Sequence, residues 1–421
     1  MPRFYCCFAA GFVLAAGAAF GATPFPTYNV YNLGTLGGLD SVANTITPGG
    51  IALGNSDPAG DATTTATAWL NGLQAPLGTL GGPNSAIGWP TRSDLVFAGY
   101  SEAAAVNALG EAWSCSAFFP QPPTGKVCLG FRFANGTITA LPTLGGIDGY
   151  AAGVNSRGDI VGWAETPVHD KTCVAPQVLQ FEAVRYGANG SVDVLPPLAK
   201  DRDSAATAIN NAGVAVGISG ICGESVGAYS ARHAVVWSHG VPAEIRMFGG
   251  HGWNTPTDIN NHGQITGFGN LPGDVVGGQL QYQPVAFIAE VGGKAQKILP
   301  LPGDGYDAGD SVNDKGLLVG QSFGGVEGSR AFVWQNGLAA DMNDLVAGGD
   351  PLYLVYATDV NSSGEIVGQA CVVSNGSCTQ SMVAFLAVPT TMAARAPVVG
   401  VRVAPENYLK GLRRFGVRSV P

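Results

Sequence analysis

Short apolar runs alternate with glycine- and asparagine-rich breaks along most of the chain, and no stretch of useful length carries apolar residues at helical spacing. The runs are rich in β-branched and aromatic residues, which predicts strands separated by tight turns. The pattern also repeats. An apolar residue, Asn, two free positions, Gly and an apolar stretch closing on Gly recur as VNSRGDIVG (154–162), INNAGVAVG (209–217), INNHGQITG (259–267), VNDKGLLVG (312–320) and VNSSGEIVG (360–368). ITPGGIALG (46–54) is a weaker copy, and DLVFAG, ending at Gly99, is a degenerate one. The closing glycines Gly54, Gly99, Gly162, Gly217, Gly267, Gly320 and Gly368 lie 45 to 63 residues apart.

Two further signatures keep the same frame. Downstream of each phrase comes a short apolar strand, usually ending in an aromatic residue: ATAW (66–69), GFRF (130–133), AVRY (183–186), AVVW (234–237), AFIA (286–289), AFVW (331–334) and AFLA (384–387). Four of these precede Asn-Gly, and then comes LGTLGG (33–38, 77–82), LPTLGG (141–146) or a weaker form of it. Asn-x-x-Gly between apolar runs predicts a tight hairpin, and Asn-Gly predicts a second one. Each repeat then supplies four strands, A to D: A before the Asn turn, B closing on Gly, C ending in the aromatic, and D running into the double glycine. Seven four-stranded antiparallel repeats predict an all-β, seven-bladed β-propeller over residues 23–388. The last repeat lacks strand D, and Tyr28–Leu33 is a strand with no repeat before it. It is therefore expected to complete the last blade and close the ring, which removes free edges. Small residues at one position of strand A (Ala43, Ala151, Ala206, Gly309, Ala357) suit a crowded axis. An open solenoid is the alternative, and it leaves both ends uncapped.

The order LGTLGG, IN-x-x-G-x-x-VG, AFxW-xNG resembles the HAF-repeat family of predicted extracellular bacterial proteins. The resemblance covers roughly residues 28 to 388. The namesake triplet stands as His233-Ala234-Val235, and as Ala-Phe at 286–287, 331–332 and 384–385. Membership implies export and a repeat fold, and it implies no activity and no catalytic residues. The second repeat departs from the pattern by losing its Asn-x-x-Gly turn.

Composition sharpens this picture. Glycine makes up 62 of 421 residues, and about half of these fall at repeat-frame positions, so the excess reads as turn chemistry repeated seven times. Charged residues are only 12%, which excludes a disordered solvating chain or a long coiled coil. A net charge of -9 argues against a nucleic-acid partner. Met1–Ala22, with Arg3 before a 13-residue apolar run, reads as a secretory signal peptide cut after Gly21 or Ala22. No later run is apolar enough for a transmembrane segment. The expected location is therefore secreted, extracellular or periplasmic. The tail 389–421 carries six basic residues and one acid, against 14 basic and 29 acidic residues in 23–388, and is expected to be a flexible basic extension.

The candidate chemistry gathers on one face. In a propeller the B-to-C and D-to-A connections share a face, and the two short hairpins lie on the other. The B-to-C segments vary in length and hold all six cysteines of the mature chain. The expected pairs are Cys115–Cys128 and Cys371–Cys378 as local clips, with Cys173–Cys222, reached by elimination, tying neighbouring blades. Asp40, Asn84, Asp148, Asp203, Asn254 and Asp307 enter strand A on that face. They form a candidate binding ring at the channel mouth, the alternative being that each caps its own turn. Trp89, Trp253, Tyr150 and Tyr306 lie nearby, either to stack on sugars or to pack between blades. No metal and no cofactor is expected, and no G-x-S-x-G, H-E-x-x-H or P-loop motif occurs. The sequence thus favours a non-catalytic secreted protein that binds a protein or carbohydrate partner through its loop face. A carbohydrate-active enzyme with carboxylates at the channel mouth and a structural cell-surface or matrix component are the alternatives. Oligomeric state is not legible.

Overall fold

The computed structural model describes residues 25–111, 115, 118–225 and 231–390, so the expected signal peptide and all of the expected basic tail beyond Thr390 lie outside the described residues. The chain is all-β. Residues 81–140, 149–195, 203–244, 255–297 and 306–341 each form a separate four-stranded antiparallel sheet. In each the strands follow in chain order, as the A-to-D reading expects; the fourth also carries an inserted hairpin, Val275–Val276 with Gln279–Leu280. The strands of residues 37–76 form a further meander. The last three, Leu352–Val360, Ile366–Ser374 and Ser377–Thr390, take Thr27–Gly34 as an antiparallel fourth, with Val30 opposite Ala387 and Asn32 opposite Phe385. One parallel bridge, Asp40 to Met382, joins these two groups, and Val346–Gly349, paired parallel with Thr27–Gly34, completes one nine-stranded sheet.

The sheets pack in a fixed order. Each strand A lies on the sheet before it: Gly81–Ile87 on Ala52–Pro58 and Thr65–Leu70, Asp203–Ile209 on Ile160–His169 and Leu179–Tyr186, and Leu352–Val360 on Leu318–Gly325 and Gly328–Gln335. Gly37–Ile46 packs in turn on Leu352–Val360 and Ile366–Ser374 at the other end of the chain. Apolar clusters fill the spaces between sheets, for example Leu53, Ile87, Phe97 and Phe131. No helix among the described residues is long and apolar enough to cross a membrane.

Two kinds of glycine hold this frame. Those of the Asn-x-x-Gly turns take positive φ (Gly158 at 81°, Gly213 at 83°), as turn chemistry requires. The closing glycines do not, which corrects their reading as turn residues. A Cβ on Gly162 or Gly217 would stand 1.9 or 2.1 Å from the carbonyl oxygen of Tyr150 or Ala205 on the adjacent strand A. Strand A bulges there, between Ala43 and Thr45, Ala206 and Ala208, Gly309 and Ser311, and Ala357 and Asp359. The bulge presses strand A backbone onto strand B, and only glycine leaves room. The small residues of strand A pair directly with these glycines: Ala43 with Gly54, Ala151 with Gly162, Ala206 with Gly217. The strand C phenylalanines complete the contact, since the rings of Phe287, Phe332 and Phe385 lie against Gly267, Gly320 and Gly368.

Candidate functional site

The turn end of the sheets is built from the Asn-x-x-Gly residues themselves. Asn210 accepts from Ala212 N and Val214 N (3.1 and 3.0 Å), which closes its own turn. Its Nδ2 donates to the carbonyl of Asn260 in the next repeat (3.2 Å). The same donation runs from Asn155 to Asn210, Asn260 to Asn313, Asn313 to Asn361, and Asn361 to Thr47. Bulge residues add a second set of links deeper in. Thr207, Thr257 and Thr358 donate to the carbonyls of Pro256, Gly309 and Ala43 in the following strand A. One asparagine thus does two jobs, and the second is invisible in a linear reading.

The repeat without the turn supplies the centre. Residues between Ile87 and Val96 turn inward, with Arg92 N donating to Val154 O (2.7 Å). The Arg92 guanidinium reaches Asp258 (2.6 Å), both carboxylate oxygens of Asp359 (3.0 Å each) and Ser311 Oγ (3.1 Å). Ser311 Oγ donates into the same group of carboxylates, and Thr45 donates to Asp359 (2.6 Å). A side chain of the second repeat that touches the fifth, sixth and seventh lies where the A strands converge. Burial holds the Asp258 carboxyl above the usual range, against the pull of Arg92 and with repulsion from Asp359 adding to it. These two acids face each other, yet both are occupied by Arg92. A cavity of about 190 Å³ sits beside Arg92 among the asparagine turns. The sequence flagged this repeat only as degenerate; an arginine replacing a turn was the available signal.

The other end differs. Asp203 accepts from Phe181 N (3.0 Å), Asp307 from Ala286 N (2.9 Å) and Asp148 from Cys128 N (2.9 Å) and Asn107 Nδ2 (2.8 Å). Asn84 accepts from Thr64 N (2.8 Å), and Asn254 donates to Arg232 O (2.9 Å). Each of these five is buried and joins strand A to strand C, or to the residue just before it, in the preceding repeat. Asp40 is half-buried at the bridge to Met382. The five buried side chains therefore sew one sheet to the next, and Asn254 also donates to Gly250 O of its own turn (3.4 Å). Burial, with Glu165 adjacent, pushes the Asp148 carboxyl up to about 8. Burial raises Asp203 and Asp307 to about 7.

Above them the loops are cross-linked. Disulfides join Cys115 to Cys128, Cys173 to Cys222 and Cys371 to Cys378. The last pair lies in two paired strands, Ile366–Ser374 and Ser377–Thr390, so that connection is a long hairpin and not a loop. The first two disulfides share a cluster with Tyr100, Tyr150, Trp163 and Phe181. Tyr150 is stacked between Tyr100 (4.6 Å) and Trp163 (6.3 Å), and Trp253 is fully buried against Tyr282, so both serve packing. Glu111 reaches across to accept from Val178 N and Leu179 N (2.8 and 2.6 Å).

His233 also has a structural account. Its Nδ1 lies 2.8 Å from Asp201, and Ser219 Oγ donates to that carboxylate (2.7 Å). The serine bonds the aspartate and not the histidine, so this is not a nucleophilic relay. The sixth repeat has the same arrangement with arginine: Arg330 to Asp304 (2.8 Å) and Ser322 Oγ to Asp304 (2.7 Å). In both, the serine accepts a loop amide, from Leu198 or Leu301, and so fixes the D-to-A loop. No cluster of His, Cys, Asp and Glu suited to a metal occurs among the described residues.

No protein-family model matches the chain, and a search of curated proteins finds no match. Among solved structures it is similar to virginiamycin B lyase from Staphylococcus aureus (TM-score 0.45, 11% identity, 86% of this chain and 99% of that one) and to a streptogramin B lyase (0.45, 10%, 86% and 97%). It is also similar to the β-propeller domain of the Trilobed protease from Pyrococcus furiosus, described as having an open velcro topology (0.44, 11%, 82% and 92%). What the described residues establish is an all-β repeat protein with solved β-propellers among its structural neighbours.

Proposed function

We propose that the chain is an exported, non-catalytic, seven-bladed β-propeller of the HAF-repeat kind, closed by Thr27–Gly34, that binds a protein or carbohydrate partner through its loop face. The pairing of Thr27–Gly34 with Ser377–Thr390 and the packing of Gly37–Ile46 on the last sheet support the ring. Three disulfides suit an oxidising compartment. One observation carries the binding role: Cys173–Cys222 ties the variable loops of two neighbouring repeats over a shared aromatic cluster. Loops fixed in this way form a preorganised surface, which lowers the ordering cost of binding. Val174 stands 70% exposed on one of these loops, and Val326 stands 91% exposed on the B-to-C hairpin of the sixth repeat. The test places a photo-crosslinking residue at Val174 or Val326, and at Leu73 or Val241 on the opposite hairpins, in the full chain exposed to its native cell envelope. Cross-links confined to the loop positions are expected. Equal capture at both ends would overturn the reading.

A further inference from the structure

We propose that the groove between the fifth and sixth repeats, at the turn end and away from the loop face, is a saccharide-binding site built on Trp334. The groove has a volume of about 430 Å³, within the range of small-ligand sites. Its origin is a departure from the repeat. Strand C ends in an aromatic side chain in most repeats, and two of these are locked in place: Tyr186 Oη donates to Pro142 O (3.0 Å) and Trp237 Nε1 to Pro196 O (2.7 Å). In the fifth repeat that position is Ala289, and the missing ring leaves space beside Trp334. Trp334 is half-buried, packs on the cluster of Ile298 and Phe332, and also lines the groove. Unlike Tyr186 and Trp237 it makes no such bond among the described residues; Trp69 of the first repeat also lacks an acceptor but is buried, whereas Trp334 borders open space.

The remaining lining suits a neutral polyol. Gln264 uses its Oε1 to accept from Asn260 (2.8 Å), and its amide N–H groups have no protein acceptor among the described residues. Gln296, Glu290 and Lys315 line the same groove, and their side chains make no ion pair or hydrogen bond among the described residues. A flat amphipathic ring edged by amide, carboxylate and ammonium groups presents one apolar face together with donors and acceptors, as a sugar ring requires. Lys315 stands with Glu290 and Asp314, so the groove holds no excess positive charge for a phosphate ligand.

The test is titration calorimetry of the full chain with neutral hexasaccharides: β-1,4-glucan, β-1,4-xylan, β-1,4-mannan and α-1,4-glucan. Binding to at least one is expected, weakened about tenfold or more in Trp334→Ala and only a few-fold in Trp334→Phe, which keeps a stacking face but lacks the N–H. Thermal unfolding of both variants checks that they fold. Gln296→Ala, on an exposed side chain, gives an independent loss without disturbing the core. Absence of binding across the panel, or Trp334→Ala and Gln296→Ala proteins that bind as tightly as the parent, would overturn the proposal. Neither outcome touches the loop-face reading, which the cross-linking positions test separately.

Discussion

The two ends of the strands solve the same problem by different means. At the turn end one side chain, the asparagine of Asn-x-x-Gly, closes its own hairpin and donates to the next repeat, from Asn155 through Asn361 to Thr47. At the loop end each junction is individual: a disulfide between neighbours, a carboxylate on a backbone amide, an aspartate held by His233 in one repeat and by Arg330 in another. A repeated solution is economical where the connections are equal in length. Where the loops differ, each needs its own fastening, and such surfaces are free to diverge in what they recognise.

The largest expected effect tests the frame common to both ends. Gly162→Ala places a methyl 1.9 Å from Tyr150 O and 2.8 Å from Ala151 Cα, and neither can yield without breaking the bulge. A loss of more than about 4 kcal/mol, or failure to fold, is expected in denaturant titration. A fall below about 1 kcal/mol would mean the bulge is not required.

Next is the turn end's centre. Arg92→Met leaves Asp258 and Asp359 buried without a cation, at a cost of about 3–5 kcal/mol. Combining it with Asp258→Asn and Asp359→Asn is expected to recover much of that loss, and no recovery would show that Arg92 acts through packing alone. At the loop end, replacing Cys173 and Cys222 by serine is expected to cost about 2–5 kcal/mol. The smaller Cys371–Cys378 loop is expected to cost roughly 1.5 kcal/mol less, the sequence separations being 49 and 7. Equal losses would mean the inter-repeat tie adds nothing beyond a local clip.

Asn210→Ala removes two turn-closing bonds and one link to the next repeat, and about 1–3 kcal/mol is expected from thermal unfolding. The same substitution at the half-buried Asn211, whose Oδ1 accepts one bond, from Ser156 N, should cost less. A pH dependence belongs to the loop end. Asp148, Asp203 and Asp307 hold their protons in the folded chain at pH values where the unfolded chain has lost them. Folding therefore takes up protons between about pH 4 and about pH 8, and stability falls as pH rises through that window. Tm is expected to be higher at pH 5 than at pH 8.5, and Asp148→Asn is expected to flatten the difference. Asp159 and Asp274, whose carboxyls the structure pulls below the usual range by hydrogen bonds despite burial, act in a lower window, losing their contribution as acid protonates them.

Much of the fold was legible because each strand and turn is a local event. Asn71-Gly72 and Asn135-Gly136 do take positive φ at both residues, as a two-residue hairpin requires. The site was less legible. Asp148, Asp203 and Asp307 share a repeat position, which reads equally well as a ligand ring; only their backbone partners in the preceding sheet reveal struts. Arg92 and Trp334 were missed as site residues because each matters through an exception to the repeat, the lost turn of its own repeat for Arg92 and Ala289 of the preceding repeat for Trp334.

The sequence by itself determined the strands, the two hairpin types and the order in which they repeat, since these depend on propensity and φ preference within a few residues. Only the tertiary structure decided what fills the spaces between repeats. Contacts such as Gly162 under Tyr150 O, or Arg92 between Asp258 and Asp359, join positions tens to hundreds of residues apart, or depend on how a bulge leans one strand on another. No local rule specifies such contacts, because their energy depends on which surfaces the packed sheets bring together.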